Sequence, residues 1–109
     1  MSSEIETFTI KRGDTSPTLQ YALSPTPNLT GATVVLNMKT TSGTATITRA
    51  AVDVVGDATD GIVEYEWISA DTDTVGVYNA EFEVTYSNGK IETFPNDGYI
   101  RVKVYADLG

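Results

Sequence analysis

A chain of 109 residues with nine Gly, four Pro and 40% hydrophobic content has room for one domain and the make-up of an ordinary globular protein, which excludes a disordered tail, a collagen-like repeat and a coiled coil. The absence of Cys excludes disulfides, thiolate metal sites and a thiol nucleophile, so the fold must rest on an apolar core. The net charge of −8 is unevenly placed: nine Asp or Glu and no Lys or Arg lie between Arg49 and Lys90, which predicts an acidic face that keeps the chain soluble, repels nucleic acid and anionic membranes, and suits basic protein surfaces or cations.

The start, Met1-Ser2-Ser3-Glu4, has neither a basic region nor an apolar stretch, and the apolar runs elsewhere are short, so neither a signal peptide nor a membrane span is expected. Period-two alternation then recurs along the chain, as in half-buried antiparallel strands with one face on a core. Phe8 and Ile10 alternate with Thr7, Thr9 and Lys11. After a turn at Gly13-Asp14, Leu19, Tyr21 and Leu23 alternate with Gln20 and Ala22. Ser24-Pro25-Thr26-Pro27-Asn28 is a loop, because two prolines fix φ and remove ladder donors.

Beyond Gly31, Ala32, Val34, Leu36 and Met38 line one face while Thr33, Val35, Asn37 and Lys39 line the other, up to a turn at Thr41-Ser42-Gly43. A single strand is expected from about Thr44 to Val55, followed by a turn at Asp60-Gly61. Val63, Tyr65 and Trp67 point inward between Glu64 and Glu66. Tyr78, Ala80, Phe82, Val84 and Tyr86 do the same against Asn79, Glu81, Glu83 and Thr85. Asn88-Gly89 predicts a hairpin with a type I′ turn into Ile91 and Phe94. Pro95-Asn96-Asp97-Gly98 breaks that strand, and Ile100, Val102 and Val104 alternate with Arg101, Lys103 and Tyr105 to close the domain. The pattern predicts an all-β, immunoglobulin-like antiparallel β-sandwich of seven to eight strands occupying 1–109, with short flexible arms at 1–6 and 106–109 that order on assembly.

With neither His nor Cys, most hydrolase layouts fall away. Glu64 and Glu66, like Glu81 and Glu83, sit two residues apart on one strand face, roughly 6.5 to 7 Å, within the range of paired glycosidase carboxylates. They flank inward-facing aromatics and therefore face water, where nothing raises one carboxyl to make it an acid, so no catalytic residues and no enzyme are expected. If their two strands are neighbours, four glutamates share one face, and a Lys or Arg from an adjacent strand or a partner must neutralise them. Asp57, Asp60, Asp71 and Asp73 offer the hard oxygen ligands calcium prefers, but in loops without the ordered calcium-binding pattern, so their expected role is turn formation and no metal or cofactor is assigned. Tyr65 and Trp67 belong in the core rather than on a sugar platform. Tyr21, Tyr99 and Tyr105 are less clearly inward and, with Glu64, Glu66, Glu81 and Glu83, are the expected protein-contact residues.

Ile10-Lys11-Arg12-Gly13-Asp14-Thr15, Leu29-Thr30-Gly31-Ala32-Thr33-Val34, Gly61-Ile62-Val63-Glu64-Tyr65, Asp73-Thr74-Val75-Gly76-Val77-Tyr78 and Asn88-Gly89 through Thr93-Phe94-Pro95 occur in an order and spacing that resembles the N-terminal domain of the upper baseplate protein family of tailed phages, over roughly residues 8 to 105. Gly76-Val77-Tyr78-Asn79-Ala80 also resembles the Gly-x-Tyr-x-Cys strand of antibody domains, but Ala80 replaces the cysteine. The phage resemblance implies an immunoglobulin-like adaptor or accessory module of the baseplate or tail, found in the virion after assembly in the host cytoplasm. Its implied partners are other virion proteins with basic surfaces, in a symmetric homo-oligomer, with no nucleic acid and no membrane. The chain ends at Gly109 without the family's extension for a receptor-binding protein, which leaves a head or neck decoration protein as an alternative. A carbohydrate-binding module of a surface adhesin is another, and a glycosidase using Glu64 and Glu66 is a third.

Overall fold

A computed structural model describes residues 6–108; residues 1–5 and 109 of the expected arms lie outside the described residues. The alternating segments form nine strands: β1 (Thr7–Lys11), β2 (Leu19–Ala22), β3 (Thr33–Thr40), β4 (Ala45–Ala51), β5 (Asp53–Val54), β6 (Ile62–Tyr65), β7 (Gly76–Thr85), β8 (Ile91–Phe94) and β9 (Ile100–Tyr105). Two short 3-10 turns, Ala58–Asp60 and Ser69–Thr72, complete the regular structure. The strands make two sheets. The larger runs β1-β9-β7-β3-β4 with β8 also on β7, and the smaller runs β2-β6-β5.

The inward rows supply one core between the sheets, as the alternation requires. Leu36, Phe82, Val84 and Val102 of the larger sheet and Val63 of the smaller are fully buried. At one side of that core Trp67 packs in a T-shape against Tyr65 and stacks on Phe8, with ring centroids 5.2 and 5.6 Å apart. Tyr65 donates its hydroxyl to Asp71 at 2.6 Å, so the carboxylate that tempted a calcium reading is an acceptor inside the 3-10 turn and also takes the Ile68 amide. Among the described residues no group of three or more acidic side chains is placed to hold a metal ion. Tyr78 donates to the carbonyl of Thr74 at 2.6 Å, the tyrosine corner of immunoglobulin-like sandwiches, which fixes the chain where it enters β7 from the smaller sheet.

Four features depart from the expected strand pattern. The run expected as one strand from Thr44 to Val55 is divided at Val52: β4 pairs with β3, and β5 pairs with β6 in the other sheet. The register of β4 slips twice and Arg49 takes φ of 50°, bends that turn a strand from one sheet to the other. The sandwich is not wholly antiparallel, because β1 pairs with β9 in parallel, Thr7 with Arg101 through Lys11 with Tyr105.

The Asn88-Gly89 hairpin is not type I′. Tyr86 and Lys90 close a three-residue loop in which Gly89 alone has positive φ, 86°, a type I turn ending in a glycine bulge. Thr40 and Thr44 close the β3–β4 hairpin in the same way over Gly43.

Finally, β8 and β9 lie end to end along one edge of β7. Phe94 pairs with Phe82 and Ile100 with Ala80, so the chain leaves the ladder after Phe94 and rejoins it at Ile100. Glu81 therefore faces a gap on that side. The excursion is held by Asn96, which donates to the Thr93 carbonyl at 2.8 Å and to Glu92 at 3.2 Å.

Candidate protein-binding faces

The outward rows define two faces. On the smaller sheet the cross-strand row is Gln20, Glu64 and Asp53. Glu66 follows β6 and is exposed, and Asp57 and Asp60 lie in the adjoining turn. No Lys or Arg stands on these strands or between them and that turn. Glu64 accepts a hydrogen bond from Thr18 at 2.7 Å, which holds one of its two carboxylate oxygens.

The larger sheet differs. Its outward rows carry Lys11, Lys39, Arg49, Arg101 and Lys103 together with Glu81 and Glu83. Arg49 reaches Glu83 at 2.5 Å, while Asn37 accepts the Arg49 amide at 2.8 Å and so supports its left-handed backbone. Asn37 pairs with Glu81, and Lys39 with Asn79. Above Glu81 lies a notch of about 350 Å3 lined by Asn37, Lys39, Asn79, Glu81, Tyr99 and the β3–β4 hairpin.

The expected contact residues thus fall in separate places. The condition under which four glutamates would share one face is not met, because β6 and β7 belong to different sheets. Glu64 and Glu66 lie on the smaller sheet's side, and Glu81 and Glu83 face outward from the larger one, where an intramolecular arginine neutralises Glu83. Tyr99 and Tyr105 are about half exposed, at 49% and 48%. Tyr21 is on an inward row, paired with Val63 and stacked on Phe82 at 5.8 Å, so its ring belongs to the edge of the core. Burial pushes its phenol up to about 12, and the Glu6 carboxylate beside it adds to the shift.

The residues not singled out by pattern are Asn37, Asn79 and the cations around them. Alternation marks each as outward, but only the pairing of β3, β7 and β9 shows that they adjoin. Among the described residues, no helix is long and apolar enough to cross a membrane.

A family model described as the BppU N-terminal domain matches residues 24–94. No curated protein matches the chain. Among solved structures, the crystal structure of CopC from Methylosinus trichosporium OB3b is similar with a TM-score of 0.56 at 11% identity, over 98% of this chain and 89% of that one, a likeness of fold alone.

Proposed function

The chain belongs to the BppU N-terminal domain family, that of the phage baseplate upper protein, and from this we propose that it is a structural adaptor or accessory module that binds other virion proteins and catalyses nothing itself. The family makes it a baseplate-related structural protein of the virion; the adaptor role, the partners and the oligomer are our reading.

The observation that carries it is the sign of the smaller sheet's outer face, where Asp53 and Glu64 stand in register and, among the described residues, no cation pairs with them. A face of one sign steers a basic partner surface into register and repels a wrong one. Such modules are repeated around a symmetric assembly, and a repeated copy meets the same neighbour each time.

The test is incorporation. Charge reversal at Asp53, Glu64 and Glu66 together, each to Lys, is expected to leave the isolated domain folded by circular dichroism and to remove the protein from virions counted by mass spectrometry. Wild-type protein at a symmetry-related copy number supports the reading. Undiminished incorporation of the triple variant would rule out the acidic face as the contact, and absence of the wild-type protein from virions would end the structural role.

A further inference from the structure

We propose that the notch over Glu81 is a binding site for a neutral saccharide, a role separate from the attachment of the module to its virion neighbours. The notch exists because the ladder on one side of β7 is interrupted: Ala80 and Phe82 have partners on β9 and β8, and the chain between those strands makes an excursion that ends at Tyr99.

Both walls are braced. Asn96 pins the excursion to Thr93 and Glu92. On the other side Thr40 Oγ1 accepts the Thr44 amide at 2.9 Å and pairs with Ser42 at 2.9 Å, which stiffens the hairpin tip.

The floor supplies both hydrogen-bonding senses within a few side chains. Asn37 has its oxygen engaged by the Arg49 amide, which leaves its NH2 group as a pair of donors. Asn79 offers a donor and an acceptor, Glu81 a carboxylate and Lys39 an ammonium.

Lys39 and Glu81 bring one charge of each sign, so the lining favours neither an anion nor a cation. Planar amide and carboxylate groups match adjacent hydroxyls, each of which donates and accepts, while the exposed ring of Tyr99 offers a surface for the apolar C–H face of a sugar ring. The volume, about 350 Å3, is at the lower end of the roughly 300 to 1,000 Å3 typical of small-ligand sites. An extended peptide gains less there, because β7 is flanked by β3 and by β8 and β9, so the strand under the notch offers no continuous free edge for strand addition.

The experiment is a titration of the purified chain with glucose, galactose, rhamnose and N-acetylglucosamine in turn, read by the NMR signals of the Asn37 and Asn79 side-chain amides. Saturable shifts of both amides by at least one sugar are expected. Tyr99→Ala or Glu81→Gln should weaken the response about tenfold, the loss of one good contact. Tyr105→Ala, on an outward position away from the notch, should leave it unchanged. Unchanged thermal midpoints will show that the variants remain folded.

No shift with any of the four sugars, or shifts that survive both notch substitutions, would overturn the proposal. Shifts produced only by a lysine-rich peptide would also overturn it and make the notch a protein contact. None of these outcomes depends on incorporation into virions, so the proposal and the adaptor reading fail separately.

Discussion

The outer faces of the two sheets are written in the same alternating code yet have opposite electrical character. Over the smaller sheet Asp53 and Glu64 stand together without a counter-ion among the described residues, whereas over the larger one Glu83 is met by Arg49 and Glu81 shares its notch with Lys39. Five of the chain's seven basic residues, Lys11, Lys39, Arg49, Arg101 and Lys103, face outward from the larger sheet. The difference teaches that the acidic stretch of the sequence is not itself a surface. Half of its glutamates are carried by β7 into a sheet where Arg49 pairs with Glu83 and Lys39 lines the same notch as Glu81, and the remainder stands without an ion pair among the described residues.

The contrast extends inward, where the larger sheet provides most of the core, and the largest effect should come from there. Phe82→Ala removes a fully buried ring that Tyr21 stacks on and is expected to cost about 3–5 kcal/mol in urea unfolding, against a smaller loss for Val63→Ala on the smaller sheet. Equal losses would mean that the two sheets contribute alike.

A second effect, intermediate in size, concerns alkaline pH. Burial raises the phenols of Tyr21 and Tyr86 to about 12, with nearby Glu6 and Glu92 adding, and raises those of Tyr65 and Tyr78 as well. Because these folded-state values lie above the ordinary phenol value of 10.0, the neutral phenols contribute stability that is fully present below pH 10 and is lost as pH rises towards 12. Thermal midpoints should therefore fall through that window while tyrosinate absorbance lags behind that of the unfolded chain. A flat midpoint across the window would contradict the burial of these rings.

The smallest effect is at the surface. The Arg49–Glu83 pair is exposed on the arginine side, so a double-mutant cycle with Arg49→Ala and Glu83→Gln should give a coupling of less than about 1 kcal/mol that shrinks in high salt. A larger coupling would show that the pair also holds the bend at Arg49 where β4 turns towards the smaller sheet.

Much of this was legible in the alternation. The inward rows of β3, β6 and β7, the burial of Tyr65 and Trp67 and the presence of both glycine-ended hairpins follow from local pattern, because a strand that buries one face must alternate. What alternation does not encode is partnership. It cannot place β6 and β7 in different sheets, divide β4 from β5 at Val52, or show that β8 and β9 continue one line with a gap at Glu81. Those facts depend on contacts between residues far apart in the chain, and the notch, built from β3, β7 and the approach to β9, was hidden for that reason. Tyr21 shows both sides of its chemistry: a tyrosine at a strand position reads as amphipathic, and here the apolar body is in contact with Phe82 while the hydroxyl sits beside Glu6.

The parallel clasp of β1 and β9 has a mechanical consequence. The strands run the same way, so Glu6 and the segment after Tyr105 leave the pair at opposite ends. A tensile load applied through these two points acts along the strands in opposite senses, and the paired positions from Thr7 to Lys11 resist it together, in shear, instead of parting one after another like a zipper.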